Sequence, residues 1–240
     1  MERWDTLWPG GWTFCFGDGA FKPSTDSFLL GSFPPLRRSW RVCDLGAGTG
    51  LLGLLLLARE PSLAVTGLEL SPAACALAER TAAANGLTGR LVTLPCDLRE
   101  RQQLPQAGTF DLAVSNPPYF PAGGGKTASG SRGDARSELT CTMAQLCGAA
   151  SYLLRSGGRF CLVYRPERLA ELLETLRRYR LEPKVLRFVQ KNGVSAPSLV
   201  LLACRKDGRT GLTVPPPLLL QNADGTETEE LRHIYFKDKG

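Results

Sequence analysis

The tetrapeptide Asn116-Pro117-Pro118-Tyr119 carries the most specific chemistry in this 240-residue chain. It follows the apolar run from Phe110 to Ser115, whose composition predicts a buried strand. A strand ending this way presents one amide, carbonyls stiffened by proline and one aromatic face. Such a set suits gripping a planar group through its NH2. Asn116 Oδ1 and the backbone carbonyl of Asn116 or Pro117 can accept both amino hydrogens while the Tyr119 ring stacks on the plane. The nitrogen lone pair is then aimed at whatever electrophile lies opposite. Pro-Pro alone often only ends a strand, so the whole tetrapeptide is the informative unit.

A second group lies upstream. Asp44-Leu45-Gly46-Ala47-Gly48-Thr49-Gly50 follows a short apolar strand from Arg41 and opens a helix over Leu51 to Arg59. Glycines there let a ligand approach the backbone at a helix N-terminus. The dinucleotide pattern G-x-G-x-x-G is not met, because position 51 is leucine. Glu69 ends the next strand, about 20 residues on, where an acid can accept from ribose hydroxyls. Asp97 follows the third strand, Arg90 to Leu94, and suits the amino group of an adenine, with Leu98 against the ring. An N-cap for Leu98 to Gln102 is the competing reading of Asp97. Thr25 and Leu70 join the candidate cofactor residues, and Asn116 counts in both sets. Together the two groups point to methyl transfer onto an amino nitrogen.

These positions need elements to hold them. Alternating Trp12, Phe14 and Phe16 predict a short strand or hairpin. Thr25 or Asp26 suits the N-cap of a helix through Leu29 and Leu30, ended by Pro34-Pro35. Ala64 to Glu69 is the second strand of the regular part. Ser71-Pro72 opens an alanine-rich helix that stops at Asn85-Gly86. Residues 122–136, rich in glycine and serine, show no apolar periodicity and are expected to be a mobile lid beside the site. A helix is expected from Glu138 to Leu154, stopped by Gly157-Gly158, then a strand from Arg159 to Tyr164. Pro166 opens a helix with Leu169, Leu172, Leu173 and Leu176 on one face. Strands at Lys184 to Val189 and Ser198 to Ala203, joined through Asn192-Gly193, form an antiparallel hairpin. Alternating strands and helices imply an α/β fold, a mostly parallel sheet with helices on both faces and a C-terminal antiparallel hairpin. The expected organisation is an N-terminal extension at 1–35, the main domain at 36–207 and a tail at 208–240 packed on it.

The run D-L-G-x-G-x-G resembles the S-adenosylmethionine motif of class I methyltransferases, which implies their Rossmann-like fold and S-adenosyl-L-methionine as cofactor. Asn-Pro-Pro-Tyr resembles the motif of amino-methyltransferases acting on adenine N6, cytosine N4, guanine N2 or a glutamine amide. The whole chain resembles the valine-tRNA adenine-N6 methyltransferase family, which modifies the adenine beside the anticodon. The likeness rests on Lys22-Pro-Ser-Thr25-Asp26-Ser-Phe-Leu-Leu30, the two motifs above and Ala135-Arg136-Ser137-Glu138. Arg165 to Leu169, Glu182-Pro183-Lys184 and Pro215-Pro216-Pro217-Leu218 match features of one branch. Gly123 to Gly133 departs from the family in being richer in glycine and serine. The resemblance implies a tRNA substrate, Asn116, Pro117, Pro118 and Tyr119 as catalytic residues, and a cytoplasmic location. Lys22, Lys126, Arg132 and Arg136 are the expected RNA contacts. The rivals are glutamine amide methylation of a release factor, guanine-N2 methylation, and an RNA-binding protein that keeps the fold without catalysis.

Composition narrows the classes further. Hydrophobic content of 43% and charged content of 22% are ordinary for a globular protein. No apolar run approaches the roughly 18–20 residues that span a bilayer, and no apolar segment follows the N-terminal charges as in a signal peptide. The 8 cysteines form no Cys-x-x-Cys pair and fit small buried hydrophobes in a reducing compartment. The 1 histidine, His233, supplies neither a zinc site nor a triad, so no metal is expected. The net charge of +6 falls entirely in residues 151–240, which suits a polyanionic partner. Oligomeric state is left open between monomer and weak dimer.

Overall fold

The computed structural model describes residues 2–17, 24–117 and 141–238. An antiparallel hairpin of β1 (Glu2–Thr6) and β2 (Thr13–Gly17) comes first. The main sheet holds β3 (Arg41–Leu45), β4 (Ala64–Glu69), β5 (Leu91–Pro95), β6 (Phe110–Ser115), β7 (Leu154–Tyr164), β8 (Leu181–Gln190), β9 (Pro197–Lys206) and β10 (Leu218–Leu219). Its order is β10-β8-β9-β7-β6-β3-β4-β5. Pairings from β7 through β6, β3 and β4 to β5 are all parallel, and β9 runs antiparallel to β7 and β8. The chain winds outward from β3 to β5, then returns to place β6 on the other side of β3. Strand order reverses there, and open α/β sheets bind ligands at the carboxyl ends flanking such a point.

Period-two alternation splits the core into two layers. Val42, Val65, Leu112 and Val114 face one way, onto the helices α1 (Thr25–Ser32) and α2 (Leu51–Arg59). Cys43, Ala113 and Phe160 face the other, and Phe110 joins them because the β6–β7 register shifts between Phe110 and Leu112. They meet α4 (Met143–Leu153) and α5 (Leu169–Arg178). Between these in sequence, α3 (Pro72–Ala84) packs β2 and β5. Its Thr81 Oγ1 accepts from Cys15 N at 3.0 Å, tying the hairpin down. The last helix, α6 (Glu229–Ile234), lies against α1.

Most predicted elements are present, with shifted ends. β5 starts at Leu91 rather than Arg90. Neither Thr25 nor Asp26 caps α1: both lie inside the helix, and extended Ser24 is the N-cap residue. The expected helix from Glu138 is seen only from Met143, residues 138–140 lying outside the described ones. It starts with a capping box between Thr142 and Gln145. Gly157-Gly158 does not stop this helix. It ends at Leu153, and β7 begins at once and carries both glycines in a bulged stretch between Leu154 and Arg159, opposite Phe110 to Leu112 of β6. Pro166 opens a single 3-10 turn before α5. The tail adds β10 to the sheet edge beside β8 and supplies α6. No helix of the described residues is long and apolar enough to cross a membrane.

Candidate active site

The glycine turn sits where β3 ends. Gly46, Gly48 and Gly50 all take positive φ, at 75°, 55° and 79°, a region that costs any residue with a Cβ. The turn hangs from the neighbouring strand, Gly46 N donating to Leu68 O at 2.9 Å. Ala47 and Thr49 are buried within it. Gly48 N donates to Glu69 Oε2 at 2.8 Å, and Ser71 N donates to Glu69 Oε1 at 2.9 Å. Glu69 therefore braces the turn and the start of α3 with one carboxylate.

Asp44 lies under the turn and is 1% exposed. A backbone N–H from Gly53 bonds its carboxylate, but Oδ2 has no partner. Burial first, and the charge of Glu69 second, raise its pKa to about 7. A buried acid with an orphan oxygen is ready for a cationic group. Leu70, 42% exposed, stands just beyond Glu69 as an open apolar surface.

Asp97 is engaged already. Arg99 Nε and Nη2 grip both of its oxygens, at 2.9 to 3.0 Å and 2.7 Å, and Arg99 N donates to Oδ1. This bidentate clamp holds the Asp97 carboxyl below the usual range. Leu98 to Gln102 form turns and no helix, so Asp97 is the head of an Asx turn and not an N-cap. Leu98 packs on the second core layer.

At the end of β6, Asn116 Nδ2 donates to Ser27 Oγ at 3.1 Å. Among the described residues no group donates to Asn116 Oδ1. Pro117 is buried and Ser115 Oγ donates to Leu45 O at 2.7 Å, fastening the strand end before Asn116 to the one before Gly46. Thr25 stands near but faces elsewhere: its Oγ1 accepts from Tyr235 OH at 3.0 Å, and Tyr235 stacks on Phe28 with centroids 4.6 Å apart.

The structure thus brings Asp44, the glycine turn, Glu69 and Asn116 to one edge of the sheet. Pro118, Tyr119, Lys22, Lys126, Arg132 and Arg136, with the expected lid, lie outside the described residues. Sequence reasoning gives Ser27, Ser115 and Gly67 no role of their own. Ser115 could have been found, since a hydroxyl in a buried strand needs a partner. So could Gly67, since glycine inside a strand marks a close approach. A Cβ there would lie 2.7 Å from Ala47 Cβ.

Other features are structural. Seven cysteines are buried and Cys141 is partly so. Burial pushes the thiols up, Cys141 to about 11 and Cys147 and Cys161 to about 12, so they stay protonated. Part of the basic charge of the C-terminal half is paired: Arg168, Arg177, Arg178, Arg180 and Arg187 meet Glu171, Glu182, Glu174, Asp207 and Glu230. Among the described residues no cluster of His, Cys, Asp or Glu suits a metal.

Known proteins resemble this chain in sequence and in fold. Residues 15–180 match the methyltransferase small domain model. A tRNA1(Val) (adenine(37)-N6)-methyltransferase of Dickeya chrysanthemi is 34% identical over 80% of this chain and 75% of its own. Another so named from Serratia proteamaculans is 33% identical over 90% and 82%. Among solved structures, a predicted O-methyltransferase, protein Atu636 from Agrobacterium tumefaciens, superposes with a TM-score of 0.74 at 22% identity, covering 88% of this chain and 96% of that one. TrmN from Thermus thermophilus gives 0.55 at 20% identity, covering 75% and 48%. The structural likenesses establish the class I methyltransferase fold. With the sequence relatives added, the chain belongs to the methyltransferase small domain family and, within it, to the tRNA1(Val) (adenine(37)-N6)-methyltransferase family.

Proposed function

We propose that this chain is an S-adenosyl-L-methionine-dependent methyltransferase of the exocyclic N6 of an adenine in tRNA, the one beside the anticodon of valine tRNA, and that it works in the cytoplasm. The observation that carries the reading is the Asn116 amide, tied through Nδ2 to Ser27 just past the end of β6, the strand that pairs with β3 ahead of the glycine turn. The relatives supply the substrate class.

The donor set fits S-adenosyl-L-methionine. The unpartnered Asp44 Oδ2 suits a positive charge, and Glu69 at the end of β4 suits ribose hydroxyls. The positive-φ glycines keep side chains out of the path of a ligand at the start of α2. When bound, S-adenosyl-L-methionine supplies a methyl carbon on a positively charged sulfur.

The remaining work belongs to the chain. Gly46, Ala47, Gly48, Thr49 and Gly50 shape the floor of the site. Leu70 and Leu98 flank an adenine ring, and Asp97 keeps lone pairs for its amino group beyond those used by Arg99. The target base is turned out of its stack and laid on Tyr119. Asn116 Oδ1 and the Pro117 carbonyl take its two amino hydrogens, which favours the tetrahedral nitrogen of the transition state. Pro118 keeps that stretch stiff, and Lys22, Lys126, Arg132 and Arg136 meet phosphates. Positioning supplies most of the acceleration. No side chain need act as a strong base, because the nitrogen becomes acidic as it gains carbon and sheds its proton to water.

The test is transfer of tritiated methyl from S-adenosyl-L-methionine to unmodified valine tRNA, with the nucleosides separated by mass spectrometry. N6-methyladenosine is the expected product. Label confined to protein, or found in N2-methylguanosine, removes the reading.

A further inference from the structure

We propose that Ser27 is a positioning residue that sets which end of the Asn116 amide meets the acceptor, an inference that rests on the function proposed above. An asparagine amide is lopsided: Oδ1 accepts and Nδ2 donates. Rotating it by half a turn costs little by itself, since its terminal torsion is broad and two-fold. Turned the wrong way, Nδ2 would confront the amino hydrogens of the base, donor against donor. The acceptor is then repelled at the atom that must be held.

Ser27 Oγ lies 3.1 Å from Asn116 Nδ2 and accepts from it. Ser24 Oγ lies 3.4 Å from Ser27 Oγ, and a Ser27 hydrogen turned toward Ser24 keeps the Ser27 lone pairs for the amide. The bond spans 89 residues of sequence and joins α1 to the end of β6.

The platform under Ser27 is rigid. The next three residues, Phe28, Leu29 and Leu30, are buried in the core. Tyr235 stacks on Phe28 and donates to Thr25, so the C-terminal segment clamps the same helix. A supporting partner of this kind fixes the orientation of a group that touches substrate.

The experiment compares Ser27→Ala and Ser27→Thr in steady-state transfer to tRNA. Ser27→Ala is expected to lower kcat about tenfold, the effect of one lost hydrogen bond felt in the transition state. Its KM for S-adenosyl-L-methionine should stay within twofold, and Ser27→Thr should restore most of kcat. A third variant separates orientation from scaffolding. In an Asn116→Asp background the carboxylate offers an oxygen whichever way it turns, so adding Ser27→Ala should cost less than twofold. A Ser27→Ala kcat within twofold of wild type overturns the assignment. So does a Ser27→Thr that falls as far as Ser27→Ala. A wild-type protein that labels no tRNA fails at the function reading, before Ser27 is touched.

Discussion

Ser115 Oγ donates to Leu45 O at 2.7 Å, a buried bond between residues 70 apart in sequence. It joins the last residue of β6 to the last residue of β3. The next residues along are Asn116 on one strand and Gly46 on the other. Parallel pairing of Cys43 with Ala113 and Asp44 with Val114 sets the two strands side by side. The Ser115 hydroxyl then locks their ends, so the amide and the glycine turn move as one body. Ser115→Ala strands the Leu45 carbonyl in an apolar layer. We expect a loss of about 1–3 kcal/mol in urea unfolding, the cost of an unsatisfied buried acceptor. Methyl transfer should fall more steeply than cofactor affinity, because the amide loosens relative to the turn.

Asn116→Ala removes the acceptor while leaving the turn, Asp44 and Glu69 untouched. Transfer to tRNA should drop by at least about a hundredfold, in the range seen when one preorganised hydrogen-bonding group is deleted. Calorimetric binding of S-adenosyl-L-methionine should stay within a few fold of wild type. A variant with near-normal turnover contradicts the role assigned to the amide.

Much of this site was legible in the sequence because its chemistry is local. Phe110 to Ser115 is a mostly apolar run, interrupted by Asp111, ahead of a proline pair, and the strand has those bounds. Ser71-Pro72 caps α3 as its residue types require, Ser71 Oγ accepting from Ala74 N. What the sequence concealed is non-local. The bond from Ser27 to Asn116 crosses 89 residues, and no periodicity reports it. Thr25 is a cofactor candidate by its place in the sequence, yet its hydroxyl is taken by Tyr235. Asp97 was judged by its place at a strand end, while Arg99, two residues on, captures its carboxylate. The start of β7 is hidden for a different reason: a glycine pair looks like a helix stop, yet both glycines lie in the stretch of β7 between Leu154 and Arg159 that is longer than its β6 partner from Phe110 to Leu112.

Gly67 lies in β4, beside Asp44 of β3 in the register. Its missing side chain makes room for Ala47, whose Cβ would sit 2.7 Å from one built on Gly67, with Thr93 Oγ1 at 3.0 Å. Backbone and small rigid side chains cannot yield that distance cheaply. Gly67→Ala should push the glycine turn away from the sheet, costing about 1–3 kcal/mol by overpacking. Affinity for S-adenosyl-L-methionine should fall with stability, the opposite pattern from Asn116→Ala. Unchanged affinity in a folded variant would show that the turn tolerates the shift.

Asp44 makes ligand binding and stability depend on pH in opposite senses. Its pKa in the ligand-free fold is about 7, against an ordinary value of 3.8. A folded pKa above the unfolded one favours the fold fully below about pH 4, and that advantage is lost as pH rises through 7. The ligand-free protein should therefore melt at a lower temperature at pH 8 than at pH 6, as far as this group decides. Binding runs the other way. A cationic ligand needs the ionised carboxylate, so affinity for S-adenosyl-L-methionine should rise as pH climbs toward 7 and level off above it. Asp44→Asn keeps an acceptor for the Gly53 N–H but carries no charge. The variant should melt higher than wild type at pH 8 without ligand, bind S-adenosyl-L-methionine at least about tenfold more weakly, and lose the pH dependence of what binding remains. Calorimetry and thermal melts between pH 6 and 8.5 check all three. A wild-type affinity that is flat across that interval, with Asp44→Asn binding as tightly, would take the cationic ligand away from Asp44.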